Sequence, residues 1–291
     1  MIPLYADESV CDLARGGLRL IQSLSGFRFG EDTVLLADYA ARQPAARGNR
    51  RCRVADLGAG NGASSLLYTA RHPIASVLAV EMDAHSLSLL ERNRRLNSLQ
   101  DRLEILDSDY SRWTVEIPDL PDGTRLDGSF DMVIANPPYG VANGGPAGDA
   151  PLRNARQEYT MSLDDLIRAA AFLLRPRGRL VLIHRASRLT DVLTVMRQYQ
   201  IEPKSLRLVV SAEGKPASRF LVTGVRQARR GSLDVEPVLL IRDRQHRLTE
   251  EVHRIYQNDP LLPETALIAG LEQIDTAWKP DMPTDLRPAQ S

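Results

Sequence analysis

The run 54-VADLGAGNG-62 decides how this chain is read. Val54 to Leu57 is an apolar strand interrupted by one acid, Asp56, and Gly58, Gly60 and Gly62 then let the backbone turn tightly and approach a ligand where a Cβ would obstruct it. A plain structural turn could use the same glycines, so their neighbours must discriminate. Asp56 does so first. A dinucleotide site sets helix amides against a pyrophosphate, and an acid aimed into that space would repel it. The pattern selects a nucleotide-like guest that carries positive charge.

On either side of this loop, strands and helices alternate. Apolar runs predict strands at 53–57, 76–80, 103–106, 130–135, 180–183, 206–211, 220–226 and 238–242, and helices at 63–71, 84–96, 163–174 and 189–199. Leu87, Leu90 and Leu96 form the expected stripe of the second helix. Ser162 followed by Asp165 opens the third with a capping box, and Arg175, Pro176 and Gly178 close it. Such alternation makes an α/β fold, a doubly wound, mainly parallel sheet whose ligands bind at the carboxyl ends of its strands. Residues 1–50 read as a lead-in and an Ala, Arg, Pro and Gly linker, 51–256 as the main domain, and 257–291 as an extension with a disordered tail from about 280.

Bulk properties exclude several classes. The 291 residues carry zero formal net charge, so no global field announces a nucleic-acid partner, although a basic stripe can hide in a neutral total. Cys11 and Cys52 are too few for a disulfide framework or a zinc site and suit a reducing cytoplasm. No apolar run has membrane-spanning length, and Met1 to Arg19 lacks a secretory pattern. His72, His85 and His184 show no metal-ligand spacing and read as surface or core histidines.

Two further acids stand at the ends of the next strands. In 79-AVEMD-83, Glu81 is placed to accept hydrogen bonds from ribose hydroxyls. In 105-ILDSDY-110, the carboxylate of Asp109 can accept from an adenine amino group while Tyr110 lies beside the ring. Each acid alone would pass for a solvated strand end. Three at successive strand ends describe a nucleoside pocket.

These residues resemble the class I S-adenosylmethionine-dependent methyltransferases. The resemblance spans roughly Arg53 to Arg242 and implies a Rossmann-like, seven-stranded sheet with its last strand antiparallel. It assigns Asp56, Gly58, Gly60 and Gly62 to the methionine part of the cofactor, Glu81 to the ribose and Asp109 to the adenine.

The stretch 135-ANPPYG-140 follows the fourth strand, where Pro137 and Pro138 end backbone donation and force a turn. Its NPPY core resembles the motif of methyltransferases acting on nitrogen conjugated to a planar group. Such a lone pair is delocalised. If the Asn136 side-chain oxygen and the Pro137 carbonyl each accept one amino hydrogen, the lone pair is drawn out of conjugation, and positioning does most of the catalysis. Tyr139 would stack on the plane, worth roughly 1–3 kcal/mol with a nucleobase.

Adenine N6, guanine N2 and a protein glutamine amide all satisfy that chemistry. Most of the chain, from Gly26 to Tyr256, is similar to the bacterial tRNA1(Val) adenine N6-methyltransferases. The similarity rests on 27-FRFGEDTVLLA-37, 151-PLRNARQEYT-160, 203-PKSLRLVV-210 and 217-ASRFLV-222. It implies that Asp32 and Thr33 cover the methionine end of the cofactor. Arg28, Arg153 and Arg156 are the expected grips on tRNA phosphate, with Lys204, Arg207, Lys215 and Arg219 as further candidates. The glycine-rich stretch 143–148 departs from that family's pattern. A release-factor-type glutamine N5-methyltransferase, a guanine-N2 RNA methyltransferase and a non-catalytic cofactor-binding module are the rival readings.

Overall fold

A computed structural model describes residues 2–13, 17–24, 30–44, 52–113, 117–118, 120, 123, 125–137 and 162–257. The chain opens with an antiparallel hairpin, β1 (Glu8–Asp12) and β2 (Arg19–Ser23), and a helix, α1 (Glu31–Ala41). There follow β3 (Arg53–Leu57), α2 (Ala63–Arg71), β4 (Ser76–Glu81), α3 (Ala84–Leu96), β5 (Leu103–Asp107), a 3-10 turn at Tyr110–Arg112 and β6 (Phe130–Ala135). The second half is α4 (Leu163–Leu173), β7 (Leu174–Arg185), α5 (Leu189–Gln198), β8 (Ile201–Ala212), β9 (Ala217–Arg226), β10 (Asp234–Val235), β11 (Leu239–Arg242) and α6 (Glu250–Gln257).

The sheet order is β10-β8-β9-β7-β6-β3-β4-β5, with β11 also beside β8. β3 to β7 are mutually parallel, and β9 runs antiparallel between β7 and β8. This is the expected seven-stranded doubly wound sheet. Among the described residues it is extended to nine strands by β10 and β11, which pair parallel to β8. Side chains alternate along each strand and so feed two apolar layers. Val54, Ile134 and Val181 pack with Leu35 of α1, Leu66 of α2 and Val252 of α6. Ala55, Val133 and Leu182 pack on the other face with Ile167 of α4 and Met196 of α5. Every residue of β6 is buried, as a parallel strand covered on both faces requires.

Several expectations change in detail. The Ser162–Asp165 capping box is present, but the turn expected at 175–178 is a bulge inside β7. Arg177 takes a left-handed φ of 69°, and a Cβ on Gly178 would lie 2.9 Å from the Arg175 carbonyl. α3 does not bury Leu87, Leu90 and Leu96 as a stripe. Its buried residues are Leu89, Leu90, Arg92 and Asn93, because the hairpin packs on it and brings polar partners.

Those partners replace a strand neighbour. Asn93, fully buried, accepts from the Ile21 amide at 2.6 Å and donates to the carbonyls of Ile21 and Asn61, each at 2.9 Å. Asn97 brackets Arg19 in the same way, at 2.8 and 2.7 Å. Arg92 lies against Glu8 at 2.5 Å, both side chains almost fully shielded, and over the Tyr5 ring at 4.7 Å. One turn of α3 therefore ties the hairpin to the glycine loop. Asn93→Ala leaves buried backbone groups unpaired and is expected to lower stability by roughly 2–4 kcal/mol. Urea unfolding reads the loss, and faster proteolysis within the hairpin locates it.

Candidate active site

In an open α/β sheet the crevice forms where strand order reverses. Here that point lies between β3 and β6, whose last residues, Leu57 and Ala135, are register partners. Gly58 and Asn136 therefore leave the sheet side by side. The two motifs singled out in the sequence share one corner.

The glycine loop is shaped by backbone necessity. Gly58, Gly60 and Gly62 have φ of 71°, 57° and 88°, the left-handed region that a side chain would strain. At Gly62 a Cβ would also sit 2.4 Å from Leu90 Cδ1, so this residue lets α2 and α3 approach. Around Gly58 and Gly60 a Cβ would meet nothing within 4 Å among the described residues, which leave open space over the loop. The amides of Gly58 and Ala59 donate to the Val80 carbonyl at 2.9 and 3.0 Å.

Glu81 completes the clamp from the end of β4. Its Oε2 accepts from the Gly60 amide at 2.8 Å, and its Oε1 accepts from Met82 and Asp83 at 2.8 and 2.9 Å. A carboxylate offers about four acceptor positions, so roughly one remains. Asp56 is buried beneath the loop and accepts from Ser65 Oγ at 2.7 Å. Burial pushes its pKa up to about 7, opposed by the Ser65 hydroxyl and reinforced by Glu81. Asn61 contributes Oδ1 to the Ala63 amide at 3.3 Å, while its buried Nδ2 has no partner among the described residues.

On the third strand end, Asp109 lies two residues beyond β5. Its Oδ1 accepts from Ser111 N at 2.9 Å and Ser111 Oγ at 2.6 Å, capping the 3-10 turn. Tyr110 is buried and packs edge-on to Trp113 at 6.3 Å. Asp107, which the sequence reading passed over, is exposed and pairs in register with Glu81.

Across the crevice, Asn136 Nδ2 donates to Thr33 Oγ1 at 3.4 Å, bringing the first turn of α1 to the NPPY corner. Thr33 is buried. Asp32 and Glu31 beside it both pair with Arg219 of β9, Glu31 at 2.6 Å. Pro137 follows Asn136, whereas Tyr139, Arg28, Arg153 and Arg156 lie outside the described residues. Of the further phosphate candidates, Arg207 is corrected. It is buried, donating to Glu251 at 2.7 Å and to the Pro237 carbonyl at 2.9 Å. Lys204 spends its ammonium on the carbonyls of Arg229 and Gly231, and Lys215 is exposed. His184 is buried against Phe220, and burial with Arg188 and Arg185 nearby lowers its pKa to about 4, which keeps it neutral. Among the described residues no group of His, Cys, Asp and Glu could hold a metal, and no helix is long and apolar enough to cross a membrane.

Comparison with known proteins follows this geometry. Residues 33–201 match the methyltransferase small domain family. A tRNA1(Val) (adenine(37)-N6)-methyltransferase of Porphyromonas gingivalis is 31% identical over 69% of this chain and 75% of its own length. One from Shewanella pealeana is 29% identical over 69% and 74%. Among solved structures, a predicted O-methyltransferase from Agrobacterium tumefaciens has 25% identity and a TM-score of 0.59, covering 78% of this chain and 95% of its own. A putative transferase from Pyrococcus horikoshii, at 14% identity and a TM-score of 0.52, shares the fold. The chain belongs to the methyltransferase small domain family, and its doubly wound sheet is that of a Rossmann-like, S-adenosylmethionine-dependent methyltransferase.

Proposed function

We propose that this chain is an N6-adenine methyltransferase acting on tRNA in the cytoplasm, at the adenosine next to the anticodon. The observation that carries the reading is the placement of Asn136 beside the glycine loop, with its Nδ2 within reach of Thr33. The names of the relatives supply the substrate class.

The residues fit the donor. Open space lies over Gly58 and Gly60, Glu81 keeps about one acceptor position for a ribose hydroxyl, and buried Asn61 Nδ2 is a donor awaiting a partner. Asp56 beneath the loop, once ionised, favours a cation over a phosphate. Asp32 and Thr33 would border the methionine end, and Asp109 with Tyr110 the adenine end. When bound, S-adenosylmethionine supplies a methyl group on a positively charged sulfur.

Asn136 Oδ1 and the Pro137 carbonyl would each accept one hydrogen of the adenine amino group. That geometry localises the nitrogen lone pair, and Tyr139 would hold the ring plane. No strong base is needed before transfer. The target base must leave its stack, which costs a few kcal/mol and least in a loop. Arg28, Arg153 and Arg156 would grip phosphates at the rim.

Two measurements test this reading. Incubation with labelled donor and total RNA from a strain lacking the gene, followed by nucleoside mass spectrometry, should yield N6-methyladenosine in one tRNA. Asn136→Ala should cut turnover by about 10²–10³-fold or more and leave donor affinity nearly intact. Label in release factor, or N2-methylguanosine in RNA, would replace the adenine assignment, and wild-type turnover in Asn136→Ala would remove the role given to Asn136.

In the ligand-free chain Asp56 makes folding stability depend on pH. Its folded pKa of about 7 exceeds the ordinary aspartate value. The stability it contributes is complete below about 3.9 and is lost as pH rises through the folded value. Asp56→Asn keeps an acceptor for Ser65 and abolishes that loss. Relative to wild type, the variant should gain roughly 2–3 kcal/mol between about pH 5 and about pH 8, read by urea unfolding across that range. A difference independent of pH would show that Asp56 is ionised throughout.

A further inference from the structure

Arg219 lies near the start of β9, and because that strand runs antiparallel its first residues emerge at the carboxyl ends of the parallel strands. The register runs from Ala135 to Leu182 and Leu182 to Val222, with Arg219 opposite Arg185 at the crevice rim. Leu221 packs in the layer that contains α1, and Arg219, two residues away, points to the same side. Its Nη2 meets Glu31 Oε2 at 2.6 Å and its Nη1 meets Asp32 Oδ1. The side chains are largely shielded, with 15% of Arg219, 27% of Glu31 and 18% of Asp32 exposed.

The helix this fork grips lacks the usual anchor. Its N-cap is Gly30, with no side-chain cap bond, so the fork substitutes for a cap by fixing the first two residues of α1. The next residue is Thr33, whose Oγ1 takes Asn136 Nδ2. Two carboxylates satisfy the guanidinium internally, which disfavours its use on a phosphate.

We propose that Arg219 is a positioning residue for methyl transfer: by pinning Glu31 and Asp32 it holds Thr33 where Thr33 fixes the amide of Asn136, and it makes no phosphate contact. The proposal rests on the role assigned to Asn136 above. It replaces the sequence expectation that Arg219 grips tRNA.

The test compares Arg219→Ala, Arg219→Lys, Thr33→Val and the Arg219→Ala/Thr33→Val double variant in tRNA methylation as a function of salt. Arg219→Ala should lower kcat by about 10- to 100-fold, with KM for tRNA and its salt slope unchanged. Arg219→Lys should recover part of that loss, and adding Arg219→Ala to Thr33→Val should cost less than about twofold more. A raised KM with a shallower salt slope, or losses that multiply, would overturn the proposal. A second readout needs no acceptor. The Asn136 side-chain amide protons, assigned by their disappearance in Asn136→Ala, should exchange slowly by NMR in wild type and Arg219→Lys and fast in Arg219→Ala. Unchanged exchange in a folded Arg219→Ala would overturn it as well. Should wild type leave RNA unmodified, the adenine assignment falls, and the exchange rates still decide the role of Arg219.

Discussion

The bonds that Glu81 accepts from the amides of Gly60, Met82 and Asp83 hold the candidate site together. Hydrogen bonds to a charged group contribute about 1.5–3 kcal/mol each, and here they join the end of β4 to the loop that follows β3. Without that clamp, three glycines in left-handed conformations would be a flexible linker. With it, the loop keeps open space above Gly58 and Gly60. The same carboxylate stands over buried Asp56 and makes its ionisation harder. One acid thus sets both the shape and the charge of the pocket.

What the sequence revealed follows from the range of the forces involved. α2, α3 and β6 end where their apolar periods, glycines and prolines end, and all of those signals are local. α1 gives no amphipathic signal because Thr33 to Ala40 is buried throughout, sandwiched between the sheet, α2 and α6. β8 reads as half its length, since Glu202, Pro203 and Lys204 interrupt the apolar run before Leu206. Glu202 is nevertheless buried, paired with Arg197, and Arg207 further along is buried against Glu251. The hairpin β1–β2 is held by Asn93 and Asn97, over 70 residues away in sequence, which pair with the backbone of Ile21 and Arg19.

The site divides the same way. Acids at strand ends are legible because a parallel sheet sends every strand's carboxyl end to one crevice, so spacing alone brings Asp56, Glu81 and Asn136 together. Their hydrogen-bond partners are not legible. Nothing near Arg219 announces that its guanidinium will meet acids 187 and 188 residues earlier, and a lone arginine in a polar stretch reads naturally as a phosphate contact. Asp109 shows the converse difficulty. A nearby serine captures its Oδ1, a local competition that counting positions from the strand cannot weigh.

Electrostatics then separates the two proposed substrates. Glu81, Glu31 and Asp32 line the crevice with acid, and Arg219 among them is held by two carboxylates. Such a field attracts a cationic donor and repels a polyanion. On the proposed function, RNA would keep its backbone at the rim while a single neutral base crosses into the interior. An extruded adenine meets that condition, because it sends a planar, uncharged group inward and leaves every phosphate outside. Arg207 and Lys204 are bound internally, so phosphate affinity must come from cations beyond the crevice, and the salt dependence of RNA binding will report on residues that never touch the methyl group.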